Sequence, residues 1–213
     1  MIRIKRILVA LLFAVLIVPC FAQTMIHPKG GFLGFHPLET PNRHLFENAL
    51  DANEQWVVEP NLMVSVETYL RGTKLSWRFM PGFYVDAAAQ PALFFHVGIK
   101  YRILQIFRSS FDLAVGPTYN FRQDWHQYYN YVEEGNFNLN GKWENKFYVL
   151  GELEYKFFLT ERWDITASVM YGHEWETFTF TMGVRYWLST LIKHPINCSS
   201  CPFGDLPGER GRR

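Results

Sequence analysis

From residue 62 to residue 188 the chain repeatedly alternates apolar and polar side chains at every second position. This constrains its fold more than any other feature, because period 2 marks a β-strand with two unlike faces. Residues 147–159 place Phe147, Val149, Leu153, Tyr155, Phe157 and Leu159 opposite Glu152, Glu154 and Lys156. Residues 164–175 place Ile165, Ala167, Val169, Tyr171 and Trp175 opposite Asp164, Thr166, Ser168 and Glu174, and residues 177–188 place Phe178, Phe180, Met182, Val184, Tyr186 and Leu188 opposite Thr177, Thr179, Thr181, Gly183 and Arg185. Earlier runs agree. Leu62, Val64, Val66 and Leu70 oppose Ser65, Glu67 and Arg71; Leu75, Trp77, Phe79, Phe83 and Val85 oppose Lys74, Ser76, Arg78 and Gly82. Leu93, Phe95, Val97, Ile99, Tyr101 and Ile103 oppose His96, Gly98, Lys100 and Arg102; Phe111, Leu113, Val115, Tyr119 and Phe121 oppose Asp112, Ala114, Gly116, Thr118, Asn120 and Arg122.

Which face is buried decides the class. A secreted lipocalin-like barrel or a β-sandwich buries its apolar face, whereas a membrane barrel turns that face to lipid and its polar face inward. The apolar face carries no Lys or Arg in any of the seven runs and has aromatics near both strand ends. The polar face mixes charges with Gly, Ser, Thr and Ala, which suits a narrow lumen. Aromatic residues make up 17% of the 213-residue chain. From Phe111 to Phe121 an apolar stripe tilted near 45° rises roughly 25 Å, the height of the apolar band of such barrels. The expectation is an all-β, up-and-down antiparallel transmembrane β-barrel of eight strands. A net charge of +1 gives no sign of a nucleic-acid partner.

Residues 1–22 read as a secretory signal peptide. Arg3, Lys5 and Arg6 precede an uncharged run from Ile7 to Val18, and cleavage is expected between Ala22 and Gln23. Cys20 as a lipid anchor is the alternative, but Pro19 before it suits that processing poorly. Loss of three cations turns the net charge from +1 to −2 and leaves Cys198 and Cys201 as the cysteines of an exported chain.

Seven strands do not close a bacterial barrel, where the count is even. The long polar segment 123–146 is expected outside the cell, with the turns at 71–73, 104–110 and 160–162 in the periplasm. By parity an outgoing first strand lies within 24–55, with Gly30–Pro37 and His44–Leu50 as candidates; an amphipathic helix over 45–56 competes for part of this stretch. The organisation expected is a signal peptide (1–22), an N-terminal segment with a first strand or short helix (23–55), a barrel (56–188) and a periplasmic tail (189–213).

The last run, Thr181-Met182-Gly183-Val184-Arg185-Tyr186-Trp187-Leu188, resembles the assembly signal of outer-membrane β-barrels, with Thr181, Gly183, Tyr186 and Leu188 at its defining places. Together with the leader and the strand pattern, the chain resembles the small eight-stranded outer-membrane barrels of Gram-negative bacteria. It departs in ending the signal on Leu188 rather than an aromatic, with 25 residues following. The resemblance implies an outer-membrane location, contact with outer-membrane lipid and delivery by the barrel assembly machinery. It assigns no function, because the class includes adhesins, scaffolds and lipid A-modifying enzymes.

On the inward face, Glu67, Asp112, Glu152, Glu154, Asp164 and Glu174 stand against Arg78, Lys100, Arg102, Arg122, Lys156 and Arg185. An eight-stranded lumen is just wide enough for side chains to fill. Balanced charges there are expected to pair as a plug rather than to line a selective pore or a proton relay. An enzyme reading would use His173 with Ser168, Glu174 and Glu176, but five residues along a strand put Ser168 and His173 on opposite faces; His96 has no serine partner on its strand. Trp125, His126, Tyr128, Tyr129, Tyr131, Phe137 and Trp143 could stack on a glycan, anchor a protein partner or pack on one another. Cys198 and Cys201 are expected to form a local disulfide rather than a zinc half-site with His194 and Asp205. No catalytic residue, cofactor or metal is expected, and the function expected is structural or loop-mediated.

Overall fold

The computed structural model describes residues 23–70, 74–133, 138–172 and 177–188. The expected signal peptide with Ala22, the expected tail with Cys198 and Cys201, and Arg71, Phe137, His173, Glu174, Trp175 and Glu176 lie outside them. The strands are β1 (Gln23–Phe35), β2 (Trp56–Tyr69), β3 (Leu75–Val85), β4 (Pro91–Ile106), β5 (Ser109–Gln123), β6 (Asn138–Asn140), β7 (Trp143–Phe158), β8 (Trp163–Gly172) and β9 (Thr177–Trp187). Every pairing is antiparallel between chain neighbours, β5 pairs β7, and β1 pairs β9. Among the described residues, eight strands therefore close an up-and-down barrel, and β6 stands outside it as a short hairpin arm on β7.

The outer surface is apolar. Val97, Ile99, Leu113, Val115, Val149 and Leu153 are each about half exposed, while the charged residues of the same strands are buried. In water this arrangement would be inverted; in a bilayer it hides every charge and satisfies every backbone group between strands. Aromatic rings collect toward both ends of the wall. Phe35 meets Trp56, Tyr171 meets Phe178 and Tyr119 meets Phe121 at the end with long loops, with centroids 4.5–4.7 Å apart. Phe111 meets Tyr155 and Trp163 meets Tyr186 at the end with short turns.

The expected first strand is β1, and it begins at Gln23, so the closed barrel starts well before residue 56. Gly30–Pro37 overlaps its end. His44–Leu50 is not a strand, and 45–56 is not a helix; the chain there makes one 3-10 turn at Arg43–Leu45 and then bends. Met25, His27 and Lys29 point inward, but the register shifts between Gly31 and Leu33 against β2 and between Gly30 and Leu33 against β9. After the shift the inward positions change parity. Gly31 is required at this bulge, because a Cβ there would lie 2.1 Å from the Phe180 carbonyl oxygen. Other boundaries also move. β2 begins at Trp56 rather than 62, β7 takes up Trp143 to Lys146 from the expected loop, and β4 and β5 run on to a turn at Phe107–Arg108.

Candidate functional site

Inward side chains fill the lumen in layers. Tyr69, Trp187 and Met25 pack together as a floor near the short turns. The Trp187 indole N–H donates to Asp164 at 2.6 Å, and the Tyr69 hydroxyl accepts from Arg102 at 2.8 Å and Lys156 at 3.2 Å. Lys156 also pairs with Asp112.

Above the floor lies the densest charge cluster. Glu154 accepts from Lys100 at 3.0 Å, from Lys29 at 3.5 Å and from Arg185. Glu67 accepts from Lys100 at 2.6 Å and lies 3.5 Å from Arg185, and Glu152 pairs with both Lys29 and Arg78. The four β-strands β1, β3, β4 and β9 thus send cations across the lumen to carboxylates on β2 and β7. The eight-stranded diameter makes this possible, since opposite walls lie within reach of one Arg or Lys side chain. Gly183 leaves room for it: a Cβ there would stand 2.8 Å from His27 Nε2.

The structure places Glu67, Arg78, Lys100, Arg102, Asp112, Arg122, Glu152, Glu154, Lys156, Asp164 and Arg185 inside and buried. It adds Lys29, Glu59, Asp86, Glu144 and Lys146, so the buried charges of the described residues are eight acidic and eight basic. His96 donates or accepts at Thr118 Oγ1 (2.9 Å) and meets Arg78 at 3.2 Å, which makes it a member of the buried network. Ser168 is hydrogen-bonded to Thr181 at 2.7 Å. Of the expected assembly signal, Thr181 points inward, Tyr186 packs outside on Trp163, and Leu188 lies exposed just past β9.

The next layer is apolar. Met63, Met80, Phe94, Tyr148, Leu150 and Met170 form one cluster with Tyr84 against it, around a cavity of about 50 Å³ that opens toward the long loops. Over that mouth the loops build a cap, in which Val57, Ala87, Ala88 and Trp125 pack with Leu45, Phe46, Tyr128 and Tyr131. Asp86, in the β3–β4 turn, ties it together: one oxygen accepts from the backbone of Ala88 and Gln90, the other from the Trp125 indole at 2.8 Å. Burial pushes the Asp86 carboxyl up to about 6, against these hydrogen bonds. Asn42 clasps Val132 through both its amide groups at 2.7 and 2.8 Å. Arg122 stacks over Trp125 and donates to Glu144 at 2.7 Å. Of the loop aromatics, Trp125 is buried, Tyr128 and Tyr131 are half-buried in the cap, Tyr129 is 88% exposed and Trp143 40% exposed. His126 Nδ1 lies 2.7 Å from Asp124 and 3.1 Å from Glu144; the Asp124 hydrogen bond raises the His126 pKa, and His126 in turn outweighs slight burial to hold Asp124 below the usual carboxylate range.

No protein-family model matches the chain, and no curated protein sequence does. Solved structures do resemble it. Neisserial surface protein A superposes with a TM-score of 0.53 over 76% of this chain and 96% of that one, at 8% identity. The N-terminal β-barrel domain of Pseudomonas aeruginosa OprF matches over 78% of this chain and 98% of its own, at 12% identity and a TM-score of 0.45. Yersinia pestis Ail, solved with the heparin analogue sucrose octasulfate, gives the same identity and coverage with a TM-score of 0.41. The fold is that of the small transmembrane β-barrels of outer membranes.

Proposed function

We propose that the protein is an integral outer-membrane barrel of a Gram-negative bacterium, with a lumen sealed by its own side chains and a role carried by the loop face. The observation that carries this is the buried network in which Lys29, Arg78, Lys100 and Arg185 reach across the lumen to Glu67, Glu152 and Glu154. An ion crossing it would have to break several buried pairs, and each broken pair leaves a charge whose burial costs several kcal/mol. The layer of Met63, Met80, Phe94, Leu150 and Met170 narrows the lumen a second time, around a small cavity that Glu59, Asn61 and Asn120 also line.

With the lumen closed, the accessible chemistry is at the loop end. Tyr129 and Trp143 present ring faces suited to stacking on a sugar or anchoring a protein. The wall meets lipid, and the last-strand motif suits recognition by the barrel assembly machinery. Purified, folded protein in a planar bilayer should give no single-channel steps; steady unitary conductance would refute the plug. Protease added to intact cells should clip within 123–146, and clipping only after the outer membrane is opened would place those loops in the periplasm. Replacing Tyr129 and Trp143 together with Ala should abolish binding to a glycan array or host-cell surface without altering the folded barrel.

A further inference from the structure

Asp124 caps the 3-10 turn Trp125–Gln127 directly after β5, and Glu144 faces it from the start of β7. The backbone is closed beneath them by Asp124 N–H to the Lys142 carbonyl at 3.1 Å. His126 folds back between the two acids, so that one imidazole nitrogen and one oxygen of each carboxylate lie within 4.8 Å of one another. Glu144 is buried, and its second oxygen is held by Arg122 Nε at 2.7 Å, which fixes the first oxygen toward His126. That first oxygen also accepts from the Trp125 backbone at 3.1 Å, and Asp124 Oδ1 accepts from the His126 backbone at 2.8 Å. The His126 side chain is 40% exposed and that of Asp124 23%, so the cluster is open to solvent while Glu144 is not.

We infer that Asp124, His126 and Glu144 form a divalent-cation site at the root of the loop between β5 and β7, suited to zinc or a metal of similar borderline softness. Two carboxylate oxygens and one imidazole nitrogen are the donor set of an open tetrahedral site, with the fourth position left to water or to a ligand from outside. Ligands about 2.0–2.2 Å from a tetrahedral ion stand roughly 3.3–3.6 Å apart. The present separations of 2.7 and 3.1 Å therefore need to open by only a few tenths of an ångström, and the half-exposed imidazole is free to give that. Charge agrees: two acids against Arg122 leave one negative charge facing solvent. Arg122 and the two backbone N–H groups supply the outer contacts that orient the ligands. Bound there, the ion would staple the β5 and β7 ends of the loop through side chains as well as backbone.

The test uses the full chain folded in detergent, with Cys198→Ser and Cys201→Ser to remove the tail thiols as competing ligands. Zinc titrated calorimetrically should bind at about one ion per barrel, and cobalt should give the visible spectrum of a four-coordinate site. His126→Ala and Asp124→Asn should each weaken binding about tenfold or more. Both should keep the heat-modifiable gel mobility of the folded barrel. Zinc should also slow proteolysis within 128–142 in the parent and in neither variant. Should His126→Ala lose the folded band, His126→Gln decides in its place. An absence of binding in the parent, or undiminished binding in the variants, overturns the proposal.

Discussion

Trp187 lies flat on Tyr69, with ring centroids 5.9 Å apart and planes 6° from parallel. The two come from β9 and β2, on either side of β1, and both point into the lumen. Trp187 is fully buried and anchored to Asp164, so it closes the short-turn end of the barrel. Trp187→Ala should cost about 3–5 kcal/mol, as truncation of a buried aromatic does. Urea titration of the folded band in detergent or lipid measures it; a loss under 1 kcal/mol would mean the floor is dispensable.

Glu154 receives Lys29, Lys100 and Arg185. Glu154→Gln should therefore leave three cations short of a partner and cost on the order of 3–5 kcal/mol. A different result is expected for Asp112 and Lys156, whose direct pair Arg102 Nε approaches only at 3.9 Å. There Asp112→Asn alone should cost more than Asp112→Asn combined with Lys156→Met, because the double change removes the stranded charge as well. A double-variant loss equal to the sum of the losses for Asp112→Asn and Lys156→Met alone would show that the pair is not coupled.

The wall can be tested at its middle. Val149 faces outward opposite Pro117, about half exposed. Val149→Arg should lower folding stability in lipid vesicles by about 2–4 kcal/mol, the depth-dependent cost of a cation at mid-membrane. An unchanged folding free energy would reverse the assignment of inside and outside.

Asp86 gives the cap a pH dependence. Its folded pKa, about 6, lies above the ordinary aspartate value of 3.8 because burial disfavours the charge, so the fold favours the protonated form. The penalty for ionising it is absent below pH 3.8, grows between 3.8 and about 6, and is constant above, at roughly 2–3 kcal/mol. The cap should accordingly tighten as pH falls from 7 to 5. Hydrogen exchange of the Trp125 indole, corrected for its intrinsic pH dependence, should slow over that range, and Asp86→Asn should remove the slowing.

Much of this architecture is legible in the sequence because seven of the barrel strands keep strict period 2, with lipid-facing and lumen-facing residues of opposite chemistry. The eighth is hidden for identifiable reasons. In β1 the inward Met25 is apolar, the outward Pro28 is not a strand former, and the shift at Gly31–Leu33 reverses the parity halfway along. Lys29 is missed with it, although it is central to the charge network. Period 2 also fails where the lumen itself is apolar. Met63, Met80, Phe94, Tyr148 and Leu150 sit on the polar phase of their strands, and no local pattern distinguishes them from wall residues. Glu144 reads as part of a loop because charged and aromatic residues crowd 123–146; its pairing with Arg122 across β5 and β7 is visible only once the strands are aligned.

The seam between β1 and β9 sets how the chain must fold. All other neighbours in the wall are joined by turns or loops, whereas β1 and β9 bring Phe35 to Phe178 and Met25 to Trp187 from opposite ends of the barrel sequence. Closing so long a segment carries the largest entropic cost of any pairing here. The seven local hairpins can form as a curved, open sheet with two unpaired edges, and the seam then zips last. Until it does, β1 and β9 are the strands that can pair with another chain. Folding speed and misassembly should both be governed at this one edge, and a circular permutant that joins residues 188 and 23 by a short turn while opening a loop elsewhere would move the slow step to the new gap.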